Sequence, residues 1–441
     1  MEILIKKLHE QMELGLQGKE NGLMMLPSYV DIMPNGHEEG EYYAVDLGGT
    51  NLRVLWVRLA SERGAVADTD VQDWSIPREC YDTDNGMLLN WVADKVLEVM
   101  GRHSDAGASS SSQVPVLGFC FSFACQQTAL DNGKLLLWTK NFRGRGLIDQ
   151  DVVSALAKVF QSRGVTIKIP ALMNDTVATL VALHYSEPST CMGIILGTGT
   201  NCAYVEAVSN IAKLPESYKS RGAYMIVNTE WGDLGASQEV LPRCEEDLWV
   251  DFSSANPGHG MFEKMISGLY MGEIVRRIIL RFVDRAGLLG GMGSLNVLEC
   301  PLRREGCFTS AMVATIDEDE TKNLSITKSL TKSLGFSKIN STEAAMIRQI
   351  CRLVANRSAC LCAAAIVAVV RKCPYPSQSD TKVVAVDGSL FVKYKKYQDR
   401  VGMALIDLLG EDAASKIRLQ VVDGGSAAGA AYLAAAAVHV H

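Results

Sequence analysis

Runs of apolar residues separated by glycine-rich turns predict two strand–turn–strand hairpins. The first has apolar runs at 42–45 and 52–59 on either side of a turn that reads Asp-Leu-Gly-Gly-Thr-Asn. β-branched and aromatic residues beside such a turn favour paired strands. A second turn, Gly-Thr-Gly-Thr-Asn at 197–201, lies between apolar runs at 192–196 and 202–205. The glycine turn thus recurs after about 150 residues. This interval is too long for a solenoid repeat and predicts two related lobes.

Helical periodicity accounts for much of the remaining chain. An apolar stripe at helical spacing begins at Leu88 and repeats through Met100, and residues 1–15 have the pattern of an amphipathic helix. Alanine-rich apolar segments at 343–372 and 427–437 predict helices that pack closely against their neighbours. Together with the hairpins, these segments predict an α/β fold.

Two further glycine turns, at 386–389 and 423–426, each follow an apolar or β-prone stretch. Glycine lets backbone N–H groups approach phosphate oxygens, and threonine or serine hydroxyls add donors without bulk. One such turn is more typical of an ordinary hairpin, but four in one chain favour a nucleotide site. The chain has no GxxxxGK[ST] motif, and no GxGxxG opens a helix after a strand. The sequence therefore predicts a phosphate site built from paired hairpins.

Length and charge narrow the class of protein. A chain of 441 residues is too long for one ordinary core and favours two lobes or domains. Its 48% hydrophobic and 21% charged residues are typical of a soluble globular protein. The net charge of -7 argues against a nucleic-acid partner, and the basic cluster at 393–396 is interpreted as a solvated helix face.

The cysteines and the N-terminus indicate a reducing compartment without a membrane anchor. The twelve cysteines include no CxxC pair, which favours free thiols over a disulfide framework or clustered zinc ligands. The N-terminus lacks the apolar core of a signal peptide and the Arg/Ser-rich character of a transit peptide. We expect no membrane span and a cytoplasmic protein, or an organellar one if a targeting segment has been removed.

Five motifs, in their order and spacing, resemble the hexokinase family, and the resemblance runs from about residue 10 to about residue 435. The motifs are Asp46-Leu47-Gly48-Gly49-Thr50-Asn51-Leu52-Arg53, Trp138-Thr139-Lys140, Asn174-Asp175-Thr176, Gly197-Thr198-Gly199-Thr200-Asn201 and Asn228-Thr229-Glu230-Trp231-Gly232. The chain is most similar to the single-unit hexokinases of plants and their relatives. The resemblance implies a two-lobed actin-like, ribonuclease-H-like ATPase fold that closes around a sugar. The implied small domain is 40–173 plus about 427–441, and the large domain is 1–39 plus 174–426.

The resemblance also implies the residues that bind sugar and transfer the phosphoryl group. Asp175 is the implied general base, and Lys140 would stabilise the developing charge from the other lobe. The implied substrate-binding residues are Ser122, Thr139, Lys140, Asn174, Asp175, Asn201, Glu230 and Glu263. Three structural alternatives stay open: a helix cap at Asn-Asp-Thr, a solvated lysine at 140, and an exposed i,i+4 partner at Glu263.

The implied cofactors are ATP and Mg²⁺, and the implied nucleotide-binding residues come from the glycine turns. They are Asp46, Gly48, Gly49, Thr50, Asn51, Arg53, Gly197, Thr198, Gly199, Gly388, Ser389, Gly425 and Ser426. Asp46 would order Mg²⁺ through water, and Arg53 would brace its hairpin. Three positions depart from the family pattern: Ala124 replaces a common proline, Asn141 a glycine, and Gly424 an acidic residue.

The function implied is ATP-dependent phosphorylation of the 6-hydroxyl of glucose and related hexoses, the first step of glycolysis, by a monomer. Two alternatives from other classes stay open. One is a catalytically weak or silent glucose sensor, and the other is an actin- or chaperone-like ATPase on the same fold. The intact set of Asp175, Lys140 and both threonine turns favours an active kinase.

Overall fold

Two mixed β-sheets with flanking helices make up the fold. The computed structural model describes residues 1–62, 64–103, 114–138, 142–235, 241–290, 300–336, 339–376 and 380–439. The strands within these residues are β1 Leu26–Pro27, β2 Gly40–Leu47, β3 Asn51–Leu59, β4 Val66–Ser75, β5 Val116–Phe121, β6 Cys125–Gln126, β7 Lys134–Leu135, β8 Lys168–Met173, β9 Thr190–Leu196, β10 Thr200–Ala207, β11 Tyr224–Asn228, β12 Lys382–Asp387 and β13 Ile417–Val421.

Helices precede, follow and connect the strands. Those in the described residues are α1 Glu2–Leu16, α2 Met87–His103, α3 Val152–Ser162, α4 Asp175–His184, α5 Glu216–Lys219, α6 Glu245–Ser253, α7 Met261–Ile266, α8 Gly268–Ala286, α9 Ser310–Asp317, α10 Ser325–Ser333, α11 Ser341–Lys372, α12 Ser389–Lys393, α13 Lys395–Leu409, α14 Glu411–Ala414 and α15 Gly425–His439.

The two sheets share one topology. In the five-stranded sheet the order is β4-β3-β2-β5-β8, with β2, β3 and β4 antiparallel and with β5 and β8 parallel to β2. In the other sheet β11-β10-β9-β12-β13 repeats this arrangement, and the short β1 adds one edge strand. The expected two-lobed α/β architecture is confirmed. The residue boundaries proposed for the two domains stay a prediction.

Each predicted hairpin lies at the same place in its sheet. The first joins β2 to β3, and the second joins β9 to β10, so each glycine turn follows the strand that also pairs with a parallel neighbour. The carboxyl ends of β2 and β9 therefore present the two turns as equivalent features of the two sheets. This duplication explains why similar turns recur along the chain.

Helix α15 packs between the five-stranded sheet and α4, and glycine residues permit the close contact on both sides. A Cβ on Gly118 of β5 would lie 2.1 Å from the carbonyl oxygen of Ala430, and a Cβ on Gly429 would lie 1.8 Å from that of Ala178. Backbone therefore meets backbone on both faces of α15. The opposite face of the sheet is covered by apolar side chains of α2 and α3.

Two predicted helices differ slightly from those in the structure. Helix α15 begins at Gly425, inside the segment predicted as a turn, because the Gly-Ser pair there adopts the first helical turn. Helix α11 begins at Ser341, where Asn340 and Glu343 form a reciprocal capping box. It is the one described helix that is long and apolar enough to cross a membrane, and 72% of its most apolar window is buried within the protein.

All twelve cysteines lie in the described residues and are free thiols, as predicted. Eight of these cysteine side chains are buried, and one of them, Cys362, lies on the buried face of α11. No group of three or more His, Cys, Asp or Glu residues that could hold a metal ion occurs in the described part of the chain.

Candidate active site

A network of side-chain amides and a carboxylate lies where β10 begins and β11 ends. The Asn201 Nδ2 group donates to Asn228 Oδ1 at 2.9 Å and to Glu230 Oε1 at 3.1 Å, and it lies 3.4 Å from Asn174 Oδ1. Asn228 Nδ2 also donates to Glu230 Oε1, at 2.7 Å. Four residues from three separate segments therefore present donors and acceptors to one point, which suits a ligand rich in hydroxyl groups.

Glu230 is held in an unusual environment. Its backbone is in the left-handed region, with φ 53° and ψ 42°, directly before the short helical turn at Trp231–Asp233. Burial, together with the charges of Asp175 and Glu263, raises the pKa of Glu230 to about 7, against the opposing amide hydrogen bonds. Strained backbone and a perturbed carboxyl group are features that concentrate at functional sites.

Asn174 and Asp175 lie at the start of α4, immediately after β8. Asn174 Oδ1 accepts hydrogen bonds from the Thr176 N–H at 3.0 Å and from the Thr176 hydroxyl at 2.8 Å. Asp175 is the first residue of the helix, and its Oδ1 accepts from the same N–H at 2.9 Å. The helix-cap alternative is therefore correct for Asn174. It does not compete with a chemical role for Asp175, because a helix N-terminus favours a negative charge there.

Glu263 projects from α7 towards the turn between β9 and β10. Its Oε2 accepts a hydrogen bond from the Thr200 N–H at 2.9 Å. A Cβ on Gly199 would come within 2.5 Å of the same oxygen, so glycine makes this approach possible. The alternative of an exposed i,i+4 partner is wrong, because the carboxylate binds the backbone of a turn 63 residues away in sequence.

Asp46 lies at the end of β2, beside the N-terminus of α15. The Ser426 hydroxyl donates to Asp46 Oδ2, whereas Oδ1 is buried and has no hydrogen-bond partner among the described residues. Burial, with a contribution from the charge of Asp175, raises the pKa of Asp46. A buried carboxylate oxygen without a donor costs free energy, and a hydrated cation beside it would supply the missing partner.

The turn after β2 is braced from both sides. Within it, the Gly48 N–H donates to the Asn51 carbonyl at 3.0 Å, while Thr50 and Asn51 are exposed. Arg53 donates from Nε to Asp73 Oδ1 at 2.9 Å, and a Cβ on Gly424 would lie 3.0 Å from its Nη1. Arg53 thus lies against the turn that precedes α15.

The turn after β9 meets the turn after β12. Gly388 has φ 110°, and a Cβ there would lie 2.4 Å from the Leu196 carbonyl carbon and 2.7 Å from the Gly197 nitrogen. Only glycine fits this contact. The exposed Thr198 and the first residue of α12, Ser389, therefore lie on neighbouring turns.

The residues that are predicted to bind sugar from the side of the five-stranded sheet are described in part. Ser122 is buried, and its N–H donates to the Leu47 carbonyl at 3.1 Å. Trp138 stacks on Phe142 and meets Phe123 edge-on, each at a centroid distance of 4.9 Å. Thr139, Lys140 and Asn141 lie outside the described residues. Ala124 is buried, and its carbonyl accepts a hydrogen bond from the Leu136 N–H at 3.0 Å.

Comparison with known proteins decides the family. Sequence models described as hexokinase match residues 1–185 and 191–436. The chain belongs to the hexokinase family. It is 40% identical to hexokinase-1 of Oryza sativa subsp. japonica over 97% of this chain and 85% of that protein. Hexokinase-1 of Spinacia oleracea is 36% identical, with 96% and 85% covered.

A solved hexokinase has the same fold. The structure of the hexokinase of Schistosoma mansoni complexed with glucose is similar with a TM-score of 0.84 and 30% identity, covering 98% of this chain and 94% of that one. Hexokinases are phosphotransferases that act on a hexose hydroxyl. The predicted enzyme class, family and fold are therefore confirmed.

Two residues that adjoin the predicted site residues were not themselves predicted to belong to the site. Asn228 belongs to the quoted Asn-Thr-Glu motif, so the signal was present, but its role is visible only once Asn201 and Glu230 are adjacent to it. Asp387 lies in the Asp-Gly-Ser turn. Burial and the charges of Asp46 and Asp423 raise the pKa of Asp387 to about 6, while Arg53 opposes the shift.

Proposed function

We propose that this hexokinase transfers the γ-phosphoryl group of ATP to the 6-hydroxyl of glucose and related hexoses, with Asp175 as the general base. One observation supports the proposal most. Asp175 directly follows Asn174, whose Oδ1 lies 3.4 Å from the Asn201 Nδ2 group of the amide network. Its charge also contributes, after burial, to the raised pKa of Glu230 in that network and of Asp46 at the end of β2. Asp175 therefore stands within electrostatic reach of both groups, as a base between a sugar and a nucleotide must.

The sugar would be held by the network that includes Asn174, Asn201, Glu230 and Glu263, together with Ser122. Carboxylates accept from sugar hydroxyls, and amides both donate and accept. A site of this kind rejects analogues that lack a hydroxyl, because its buried polar groups would be left unpaired. Thr139 is proposed to complete the site from the resemblance alone.

Phosphoryl transfer would begin with removal of a proton from the sugar hydroxyl. The Asp175 carboxylate accepts that proton as the hydroxyl oxygen attacks the γ-phosphorus, and the bond from the γ-phosphorus to the β,γ-bridging oxygen breaks, so that ADP leaves. A general base of this kind contributes about 10²–10⁴-fold in rate. Lys140, proposed from the resemblance, would stabilise the charge that develops on the phosphoryl oxygens. The Thr176 N–H bonds to Asn174 and Asp175 fix the orientation of the base.

The nucleotide would lie along the glycine turns. We propose that Thr50, Thr198, Ser389 and Ser426 donate to it, and that backbone N–H groups at the glycines do the same. The unpartnered Oδ1 of Asp46 suits a water of a hydrated Mg²⁺. When bound, that ion neutralises charge on the phosphates. We propose that the ion is held mainly by water and phosphate oxygens.

The sugar ligands and nucleotide ligands come from both sheets, and we propose that the two domains close around the sugar. Closure would exclude water, which otherwise competes with the sugar for the phosphoryl group. We also propose a cytoplasmic monomer. The proposal of closure rests on the family resemblance and on the division of the proposed site between the sheets.

The test is ADP production by the purified protein in Mg-ATP, with and without glucose, beside calorimetric glucose binding. Glucose-dependent turnover supports the kinase. Glucose binding without turnover would favour the sensor, and ATP hydrolysis that does not depend on glucose would favour an ATPase of another kind.

A further inference from the structure

The segment that follows Phe142 is fastened to the chain just before α2. The Arg143 N–H donates to the Tyr81 carbonyl at 2.8 Å, and the Arg143 carbonyl accepts from the Thr83 N–H at 3.0 Å. The Thr83 hydroxyl donates to the same carbonyl at 2.8 Å, and Thr83 is buried. The backbone of Arg143 is therefore bound at both its N–H and its carbonyl group.

Asp84 holds the next residues of that segment. Its Oδ1 atom accepts hydrogen bonds from the Arg145 N–H and, at 2.8 Å, from the Gly146 N–H. Gly144 has φ 95°, and a Cβ there would lie 2.8 Å from the same oxygen. Glycine at 144 therefore allows the backbone to pass around the carboxylate, and one oxygen of Asp84 fixes two successive N–H groups.

An aromatic cluster fixes the residue at which this segment begins. Phe142 is buried and stacks on Trp138, with 16° between the ring planes and 4.9 Å between the ring centroids. Tyr81 meets Phe142 edge-on, also at a centroid distance of 4.9 Å. Trp138 and Phe142 are the described residues on either side of residues 139–141. The two ends of that interval are therefore held together, and Tyr81 links them to the chain before α2.

We propose that Asp84 is a positioning residue for Lys140. This rests on the proposed function, in which Lys140 stabilises the charge that develops on the phosphoryl group. Fixing both ends of residues 139–141 limits where Lys140 can lie, because each residue between them has only two soft dihedral angles. The Asp84 bonds hold the end at Phe142. Developing charge is stabilised best by groups that are already in place, so loss of these bonds slows the chemical step.

The first measurement is kcat at saturating glucose and Mg-ATP, for variants that thermal unfolding shows to be folded. Asp84→Ala removes the acceptor and should lower kcat by about tenfold or more. Its KM for Mg-ATP should change little, because the proposed nucleotide ligands lie on other segments. Asp84→Asn keeps the Oδ1 acceptor and should retain most of kcat. The control is Asp131→Ala, at an exposed position before β7, which should leave kcat unchanged.

A double-mutant cycle with Lys140→Met separates positioning from a general structural role. Lys140→Met should itself lower kcat, and adding Asp84→Ala should cause little further loss, because the group that Asp84 positions is gone. A general structural role would instead give a double variant whose loss is the product of the two single losses. Thr83→Val removes the hydroxyl bond to the Arg143 carbonyl. It should show a smaller loss, which also disappears in the Lys140→Met background.

The proposal is overturned if folded Asp84→Ala keeps the full kcat, or if its loss is undiminished in the Lys140→Met background. If Asp84→Ala does not fold, the same two outcomes for Thr83→Val decide it. An unchanged kcat in Lys140→Met would remove the proposed role of Lys140, and this inference with it. Absence of glucose-dependent turnover in the unmodified chain would instead remove the proposed function itself.

Discussion

At the scale of single residues, Glu230 stands out because its surroundings disfavour the charged form of its carboxyl group. The amide groups of Asn201 and Asn228 both donate to it, yet burial and the nearby charges of Asp175 and Glu263 outweigh these bonds. A protein retains such a costly arrangement where a ligand uses it. In the proposed complex, sugar hydroxyls supply the additional donors that the carboxylate needs.

The raised pKa of Glu230 makes a prediction about stability. The pKa is about 7 in the folded protein against an ordinary value of 4.5. Between these values the folded state binds more protons than the unfolded state, so this residue's contribution to the unfolding free energy falls as pH rises and levels off above about pH 7. Glu230→Gln does not titrate. Its unfolding free energy, minus that of the unmodified chain, should rise by roughly 3 kcal/mol from about pH 4.5 to pH 8.

Urea denaturation without substrates at several pH values measures this difference. Titrating groups that do not interact with Glu230 contribute equally to both proteins and cancel. Glu216→Gln is the matched control, because that carboxylate side chain is 85% exposed. A constant difference for Glu230→Gln as well would show that Glu230 titrates as an ordinary surface carboxyl group.

At the scale of elements, the position of α15 depends on glycine. Gly118 of β5 and Gly429 of α15 remove the side chains that would otherwise hold the sheet, α15 and α4 apart. The close packing brings Ser426, in the first turn of α15, to Asp46 at the end of β2. The packing of α15 therefore helps to determine which residues meet in the proposed nucleotide site.

Gly429→Ala should destabilise the protein. The added Cβ would lie 1.8 Å from a backbone carbonyl of α4, which cannot rotate away, so we expect a loss of about 3 kcal/mol or more in unfolding free energy. Gly402→Ala, with no neighbour within 4 Å, should instead stabilise helix α13 by about 0.5–1 kcal/mol. Thermal unfolding of both variants checks this, and equal effects would contradict the packing account.

The elements also show which features the sequence could predict. The two hairpins were predictable because a glycine turn between β-prone runs is local information. The bond between Glu263 and Thr200, and the contact of Gly388 with Gly197, join positions 63 and 191 residues apart and become visible only in the folded chain. The start of α15 was predicted two residues late because a Gly-Ser pair is typical of turns as well as of first helical turns.

At the scale of the whole molecule, the duplicated sheets place one glycine turn at the end of β2 and another at the end of β9. The recurrence of the turns in the sequence was sufficient to predict two lobes. Their strand orders were not predictable, because pairing between distant strands has no local signal. The proposed ligands belong to both sheets. A bound sugar can therefore meet all of its ligands only if the lobes approach each other.

Small-angle X-ray scattering tests that motion. Glucose should reduce the radius of gyration, because a ligand that contacts both lobes favours the closed arrangement. A sugar that does not bind in calorimetry serves as the control at the same concentration. An unchanged radius of gyration at saturating glucose would count against closure.

Asp175 is proposed to remove the proton from the sugar hydroxyl. The most direct test of this role compares turnover with glucose binding in the Asp175→Asn variant. The amide keeps an oxygen that can accept from the Thr176 N–H, and the exposed Asp412→Asn on α14 is the control. We predict that Asp175→Asn lowers kcat by at least about 10²-fold while the glucose dissociation constant changes little. Undiminished kcat in a variant that binds glucose normally would contradict the assignment of Asp175 as the base.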